Sequence, residues 1–169
     1  MKISIIGYSG AGKSTLAKRI SEKLELPLLY LDTIRFKPNW TEREMEECIS
    51  IVSDWMDERD SWVIDGNYRQ ILQQRRFDEA DYIVFLDFPM LTCLKRVSQR
   101  YKKYKGTSRE SVTFGCDEKL DKEFLKWVTK DCRNRYAKAA YERTANRYPE
   151  KFVRCRSDKE VEAFVSRLT

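Results

Sequence analysis

Near the amino terminus the chain reads Gly7-Tyr8-Ser9-Gly10-Ala11-Gly12-Lys13-Ser14, a G-x-x-x-x-G-K-S run placed directly after the apolar residues Ile3-Ser4-Ile5-Ile6. These residue types at this spacing suit the capture of a polyphosphate. Glycines at positions 7, 10 and 12 allow tight turning, so that successive backbone N–H groups close on phosphate oxygens that a Cβ would obstruct. A helix starting near Lys13 adds the positive end of its peptide dipoles at the same spot. Lys13 then reaches the β- and γ-phosphates, the Ser14 hydroxyl joins a Mg²⁺ shell of water and phosphate oxygens, and Thr15 bonds the α-phosphate. Ser9 and Ala11 belong to the same nucleotide-binding set. A plain glycine turn is the alternative, but Leu16, Ala17, Ile20 and Leu24 recur at helical spacing, so strand, loop and helix follow in the order polyphosphate binding demands.

Carboxylates end three further apolar runs, at Asp32 after Leu28-Leu29-Tyr30-Leu31, at Asp65 after Trp62-Val63-Ile64, and at Asp87 after Ile83-Val84-Phe85-Leu86. Each is either a turn or cap residue or a member of a site; in a parallel sheet, ligands bind beyond the carboxyl ends of the strands, which would bring all three to the edge that carries Gly7. Both Asp87 and Asp65 fit the hydrophobic-run-plus-Asp pattern of a second metal-site element that would join Ser14 at a metal, and the pattern alone does not say which of the two strands neighbours the phosphate loop. No histidine occurs anywhere, so a general base must be a carboxylate, lysine, tyrosine or perturbed cysteine. Arg35, Phe36, Lys37 and Trp40 follow Asp32 and suit an anionic, flat or sugar-like acceptor; Trp40 is either a stacking surface or a packing anchor. Arg96 and Arg100 share a helix face, and Arg109, Arg133 and Arg135 follow without a compensating run of acids, either as solvated surface charge or as a set with a common role.

The elements that must position these residues alternate between strand-like and helix-like patterns, which predicts a parallel sheet covered on both faces. Strands are expected at Ile3–Ile6, Leu28–Asp32, Ser61–Asp65, Tyr82–Asp87 and Lys151–Cys155. Thr41 with Glu44 reads as a capping box for a helix carrying Met45, Cys48, Ile49, Val52 and Met56, and Ser157 with Glu160 caps a last helix. Periodicity fades between Lys105 and Asp117, which reads as a mobile loop, and a long helix is expected from Leu120 towards Tyr141. A chain of 169 residues with twenty-one aromatics can build one domain with a sizeable core. Five widely spaced cysteines without a C-x-x-C pair argue against zinc and for buried thiols in a reducing compartment. Neither a signal peptide nor an 18-residue apolar run is present, so a soluble cytoplasmic protein is expected. Residues 92–156 carry a net +11 while the remainder sums to −5. That region either grips a triphosphate and a second phosphorylated substrate or lies along a nucleic acid backbone.

The phosphate loop, the acid ending the second strand, Asp65-Gly66-Asn67-Tyr68-Arg69 and the later basic loop together resemble the nucleoside monophosphate kinase group, typified by adenylate kinase. In that group a D-G-F-P-R stretch supplies an Asp that organises Mg²⁺-bound water and an Arg that holds the acceptor phosphate, which implies those roles for Asp65 and Arg69. Asn67 and Tyr68 depart from the pattern by replacing the Phe and Pro. Across nearly the whole chain, Gly7–Thr15, Leu31-Asp32 with Pro38 and Trp40, Trp62–Tyr68, Phe85–Asp87 and Gly115-Cys116 ahead of Phe124-Leu125-Lys126-Trp127 resemble bacterial DNA topology modulation (FlaR-like) proteins, whose name implies a DNA role. The resemblance implies an α/β, three-layer P-loop NTPase fold in one domain over residues 1–169. Its five-stranded parallel sheet would have the order 2-3-1-4-5 with helices on both faces, an acceptor-binding insertion about 33–60 and a basic helical lid about 100–135. It further implies an ATP-dependent phosphotransferase using Mg²⁺, with a nucleoside triphosphate and a small-molecule acceptor as partners. Lys13, Asp32, Asp65, Arg96, Arg100 and Arg133 are its expected catalytic residues, and Asp32, Arg35, Trp40 and Arg69 its acceptor contacts. Shikimate and gluconate kinases, which share this shape, use a strand-two Asp to accept a hydroxyl proton, a role Asp32 would fill. The other reading is an ATP-binding DNA-associated regulator.

Overall fold

A computed structural model describes residues 1–118 and 120–169. Its centre is a five-stranded parallel sheet of β1 (Lys2–Gly7), β2 (Leu28–Tyr30), β5 (Trp62–Asp65), β6 (Tyr82–Leu86) and β7 (Phe152–Cys155), in the order β2-β5-β1-β6-β7. Counted without two short intervening strands, this is the expected 2-3-1-4-5. The apolar runs are the reason: every residue of β5, and all but the first of β1 and β6, is buried. Side chains alternate between the two faces of a strand, so burial of consecutive residues requires layers on both sides. Register aligns Ile5 with Asp65 and Gly7 with Leu86, which sets the phosphate loop and the ends of β5 and β6 on one edge.

Helix α1 (Lys13–Leu24) packs on β1, β2 and β5 through Leu16, Ala17 and Ile20. The strand expected to run to Asp32 stops at Tyr30, and Leu31–Arg35 forms the short helix α2. The predicted Thr41–Glu44 capping box is absent. Thr41–Glu42 is instead strand β4, paired antiparallel with β3 (Phe36–Lys37), and helix α3 (Met45–Asp57) begins at an N-cap, Glu44, that makes no side-chain cap bond. Tertiary pairing overrides the local signal there, because Arg35 donates to Glu42 and to the Arg43 carbonyl while Arg43 donates to the Ile34 carbonyl. After α4 (Gln73–Glu79) and α5 (Met90–Tyr104), the expected long helix is broken. It becomes α6 (Lys122–Thr129), a 3₁₀ turn Asp131–Arg133, and α7 (Arg135–Arg147), whose N-cap Asn134 accepts from the N–H groups of Tyr136 and Ala137. In α8 (Asp158–Arg167) Ser157 accepts from the Glu160 N–H as expected, whereas the Glu160 carboxylate bonds the Arg156 N–H instead of completing the box.

The stretch expected to be a mobile loop is a chain of turns fastened to the β3–β4 hairpin. Asn39 N–H donates to the Gly115 carbonyl at 3.1 Å, Trp40 Nε1 to the Asp117 carbonyl at 3.0 Å, and Thr113 Oγ1 to the Phe36 carbonyl. All five cysteines are buried free thiols. Among the described residues no helix is long and apolar enough to cross a membrane.

Candidate active site

The phosphate loop is shaped by close approach of its neighbours. Gly7 lies against β6, where a Cβ would come within 2.7 Å of the Leu86 carbonyl oxygen, and Gly10, at φ +78°, has the Cys93 carbonyl and Val97 at the same distance. Gly12 caps α1 in the left-handed conformation, and among the described residues neither a side-chain cap nor an acid of the first turn takes up the first N–H groups of α1. That is the arrangement in which a helix start receives phosphate. Lys13 Nζ rests on the Tyr8 carbonyl at 3.2 Å, folded over its own loop.

Ser14 and Asp65 meet as the sequence expects: Ser14 Oγ donates to Asp65 Oδ2 at 2.7 Å. Asp65 is buried, and its Oδ1 has no partner among the described residues. Burial pushes its carboxyl up to about 6, against the opposing pull of the Lys13 charge and the Ser14 bond. Asp87 is directed elsewhere, 3.4 Å from Arg156 Nε. Among the described residues no group of three or more His, Cys, Asp or Glu side chains gathers to enclose a metal unaided. The fit is therefore to a cation shared with a nucleotide: an orphaned buried carboxylate oxygen and a hydroxyl beside a main-chain cradle, completed by phosphate oxygens and water.

The segment after β5 touches each part of the site in turn. Asn67 clasps Gly7 in both directions, its Oδ1 accepting from the Gly7 N–H at 2.9 Å and its Nδ2 donating to the Gly7 carbonyl at 2.8 Å. Tyr68 donates its hydroxyl to Asp32 Oδ1 at 2.6 Å. Beneath them Arg76 is fully buried and donates to the carbonyls of Ile71, Gly66 and Tyr68 at 2.9, 3.1 and 2.7 Å. Desolvation lowers its guanidinium to about 9. Sequence reasoning missed Asn67, Tyr68 and Arg76. The first two carried a signal, since they are where the chain departs from the D-G-F-P-R pattern; Arg76 carried none, because its partners are carbonyls of an irregular segment.

One cleft of about 1380 Å³ is lined by the phosphate loop from Ser9 to Thr15, by Asp65 and Asn67, and by Asp32, Phe36, Trp40, Tyr68 and Arg69. The lining also includes Arg96, Arg100, Arg109, Phe124 and Trp127. Arg96 donates to the Ala11 carbonyl at 2.6 Å and pairs with Asp158, so it braces the loop from α5. Arg100 and Arg109 converge on the buried Glu118, at 2.6 and 2.7 Å. Two residues expected at the cleft are placed away from it. Arg35 is consumed by the hairpin, bonded to Glu42 and the Arg43 carbonyl. Arg133 lies behind the loop, 3.9 Å from the centre of the Tyr8 ring and 3.0 Å from the Phe88 carbonyl, because the helix break at Lys130–Asn134 turns it inward.

No family model matches the chain, and no curated protein matches it. Solved structures do. A deoxyadenosine kinase from M. mycoides with bound dATP superposes with a TM-score of 0.59 over 99% of each chain at 16% identity. The same kinase with products dCMP and a flexible dCDP gives 0.54, over 99% of this chain and 98% of that one, also at 16% identity. An uncharacterized protein from Eubacterium ventriosum gives 0.55 at 18% identity, over 98% of this chain and 94% of that one. The chain has the fold of P-loop kinases.

Proposed function

We propose that this protein is an ATP- and Mg²⁺-dependent kinase that transfers the γ-phosphoryl group to a hydroxyl of a small, flat, nucleoside-like acceptor. One observation carries the hydroxyl assignment. Asp32, held by Tyr68, opens on the same cleft as the phosphate loop, and of the two arginines expected to contact the acceptor, Arg35 is turned into the hairpin while Arg69 lines the cleft. A hydroxyl needs a base; a phosphate acceptor, already anionic, needs cations instead. The aromatic flank of Phe36, Trp40 and Tyr68 suits a ring, and a nucleoside is the acceptor that the name of the M. mycoides kinase suggests.

In this reading the loop amides and Lys13 bind the triphosphate, and Asp32 receives the acceptor proton as its oxygen bonds the γ-phosphorus. The β–γ bridging P–O bond breaks and ADP departs. Ser14 and Asp65 would hold Mg²⁺, which would supply charge neutralisation when bound. Arg96, Arg100 and Arg109, which line the same cleft, would supply positive charge for the transferring group. With its five buried thiols, we place the enzyme in the cytoplasm.

The test is transfer from labelled ATP to a panel of deoxynucleosides, nucleoside monophosphates and sugars. A hydroxyl acceptor should be phosphorylated, and Asp32→Asn should lose about 10²–10⁴-fold in kcat, the usual worth of a positioned base. Transfer confined to monophosphates, or left intact by Asp32→Asn, would overturn the proposal.

A further inference from the structure

Resting on that reading, we infer that Tyr68 is the positioning residue for the acceptor base, and that the Asn67-Tyr68 pair ties this base to the phosphate loop as one unit. A base carried on a five-residue helix lacks a rigid seat. Asp32 sits in the first turn of α2, a helix too short to fix a side chain by its own packing, and Asp32 is partly exposed to the cleft. An aspartate so placed has several staggered orientations open to it. The phenol removes that freedom. Its hydroxyl reaches Asp32 Oδ1 at 2.6 Å across 36 residues of sequence, leaving Oδ2 as the oxygen not claimed by this bond.

Tyr68 is itself held. Its carbonyl accepts from Arg76 at 2.7 Å, and the same guanidinium grips Gly66 and Ile71 on either side. Its neighbour Asn67 bonds both main-chain groups of Gly7, and the Asn67 carbonyl accepts from Gln73 Nε2 at 2.7 Å. Asp65, two residues before Asn67, carries the Ser14 bond. Residues 65 to 68 thus touch in sequence Ser14, Gly7 and Asp32, so a displacement of the phosphate loop is passed to the base through a segment pinned from below. A bidentate side-chain clasp and a phenol–carboxylate bond have geometries that tolerate little slack, which is how distances of about 3 Å between reacting atoms are maintained. The two residues that break the D-G-F-P-R pattern are the two that make these connections.

The experiment is a double-mutant cycle on Tyr68→Phe and Asp32→Asn, read as kcat and KM for Mg·ATP with deoxyadenosine as acceptor, and again as slow transfer to water with no acceptor added. ATP binding by calorimetry reports on the fold of each variant. Tyr68→Phe keeps the ring and its packing and removes only the donor. It should lower kcat about tenfold with the KM for ATP within about twofold of wild type, and in the Asp32→Asn background it should cost less than about twofold, because the phenol then has no base to orient. A Tyr68→Phe variant with unchanged kcat, or one whose loss persists undiminished in the Asp32→Asn background, overturns the inference and leaves the kinase reading intact. Absence of transfer by the wild type to water and to every hydroxyl acceptor of the panel overturns the parent reading and this inference with it.

Discussion

A carboxyl group buried as deeply as that of Asp65 resists ionisation, and this makes its cost measurable in the absence of any ligand. Its folded-state value near 6 lies above the 3.8 of an exposed aspartate. The sign is therefore opposite to that of a salt-bridged acid. Below about pH 4 the group is protonated in both states and costs nothing; between about 4 and 6 the unfolded chain ionises first, and stability falls as pH rises. Above about 6 the penalty is constant at no more than about 3 kcal/mol, from the width of that window at 1.36 kcal/mol per unit. Asp65→Asn retains an acceptor for Ser14 and removes the charge. Urea denaturation of chelator-treated protein should show the variant more stable than wild type by about 1–3 kcal/mol at pH 7, with the gain shrinking towards pH 4.5. A gain that is absent at pH 7, or constant across that range, would contradict it. The exchange of stability for a charge held ready beside a polyphosphate cradle is what a site built for a cation should display.

At the scale of elements, the loop between β1 and α1 is shaped by α5 and β6, and glycine is the means. At Gly10 the positive φ and the 2.7 Å approach of the Cys93 carbonyl and Val97 act together, so Gly10→Ala must both strain the backbone and push α5 away. We expect a loss of about 1–3 kcal/mol, seen as a lower melting temperature, together with weaker ATP binding, since the displaced helix carries Arg96 and its bond to the Ala11 carbonyl. Unaltered melting and binding would show that α5 yields freely. This loop was legible in sequence because its requirement, the absence of side chains at fixed positions, is written directly as residue type. The strands were legible for a similar reason, as burial on both faces produces uninterrupted apolar runs. What escaped was decided by distant partners. Thr41 and Glu44 have the residue types of a capping box, yet Arg35 and Arg43 recruit the segment into a hairpin. The apolar spacing from Leu120 to Tyr141 is helical in two pieces, and the restart is marked by Asn134, a residue type that favours an N-cap over a helix interior but is outweighed in the sequence by the continuous apolar spacing.

For the molecule as a whole, the unequal charge of residues 92–156 left two partners open, a triphosphate or a nucleic acid, and the side-chain placement bears on the choice. A region that binds DNA through phosphates needs its cations facing outward along a continuous track. Here many of the arginines are engaged with acids, some of them from outside the region: Arg96 with Asp158, Arg156 with Asp87, Arg154 with Glu142, and both Arg100 and Arg109 with Glu118. Arg133 is stacked on Tyr8. Four basic residues of the region, Arg96, Arg100, Lys103 and Arg109, line the cleft, and the arginines among them are tied to acids or to the phosphate loop rather than laid out along an open track. We expect a duplex of about 20 base pairs to bind no more tightly than about 10 µM at about 150 mM KCl, the range of non-specific attraction, with an affinity indifferent to ATP. Fluorescence anisotropy across a salt series measures it. Nanomolar binding that responds to ATP would mean that these ion pairs open towards a larger polyanion, and the kinase reading would then have to share the cleft with a regulatory one.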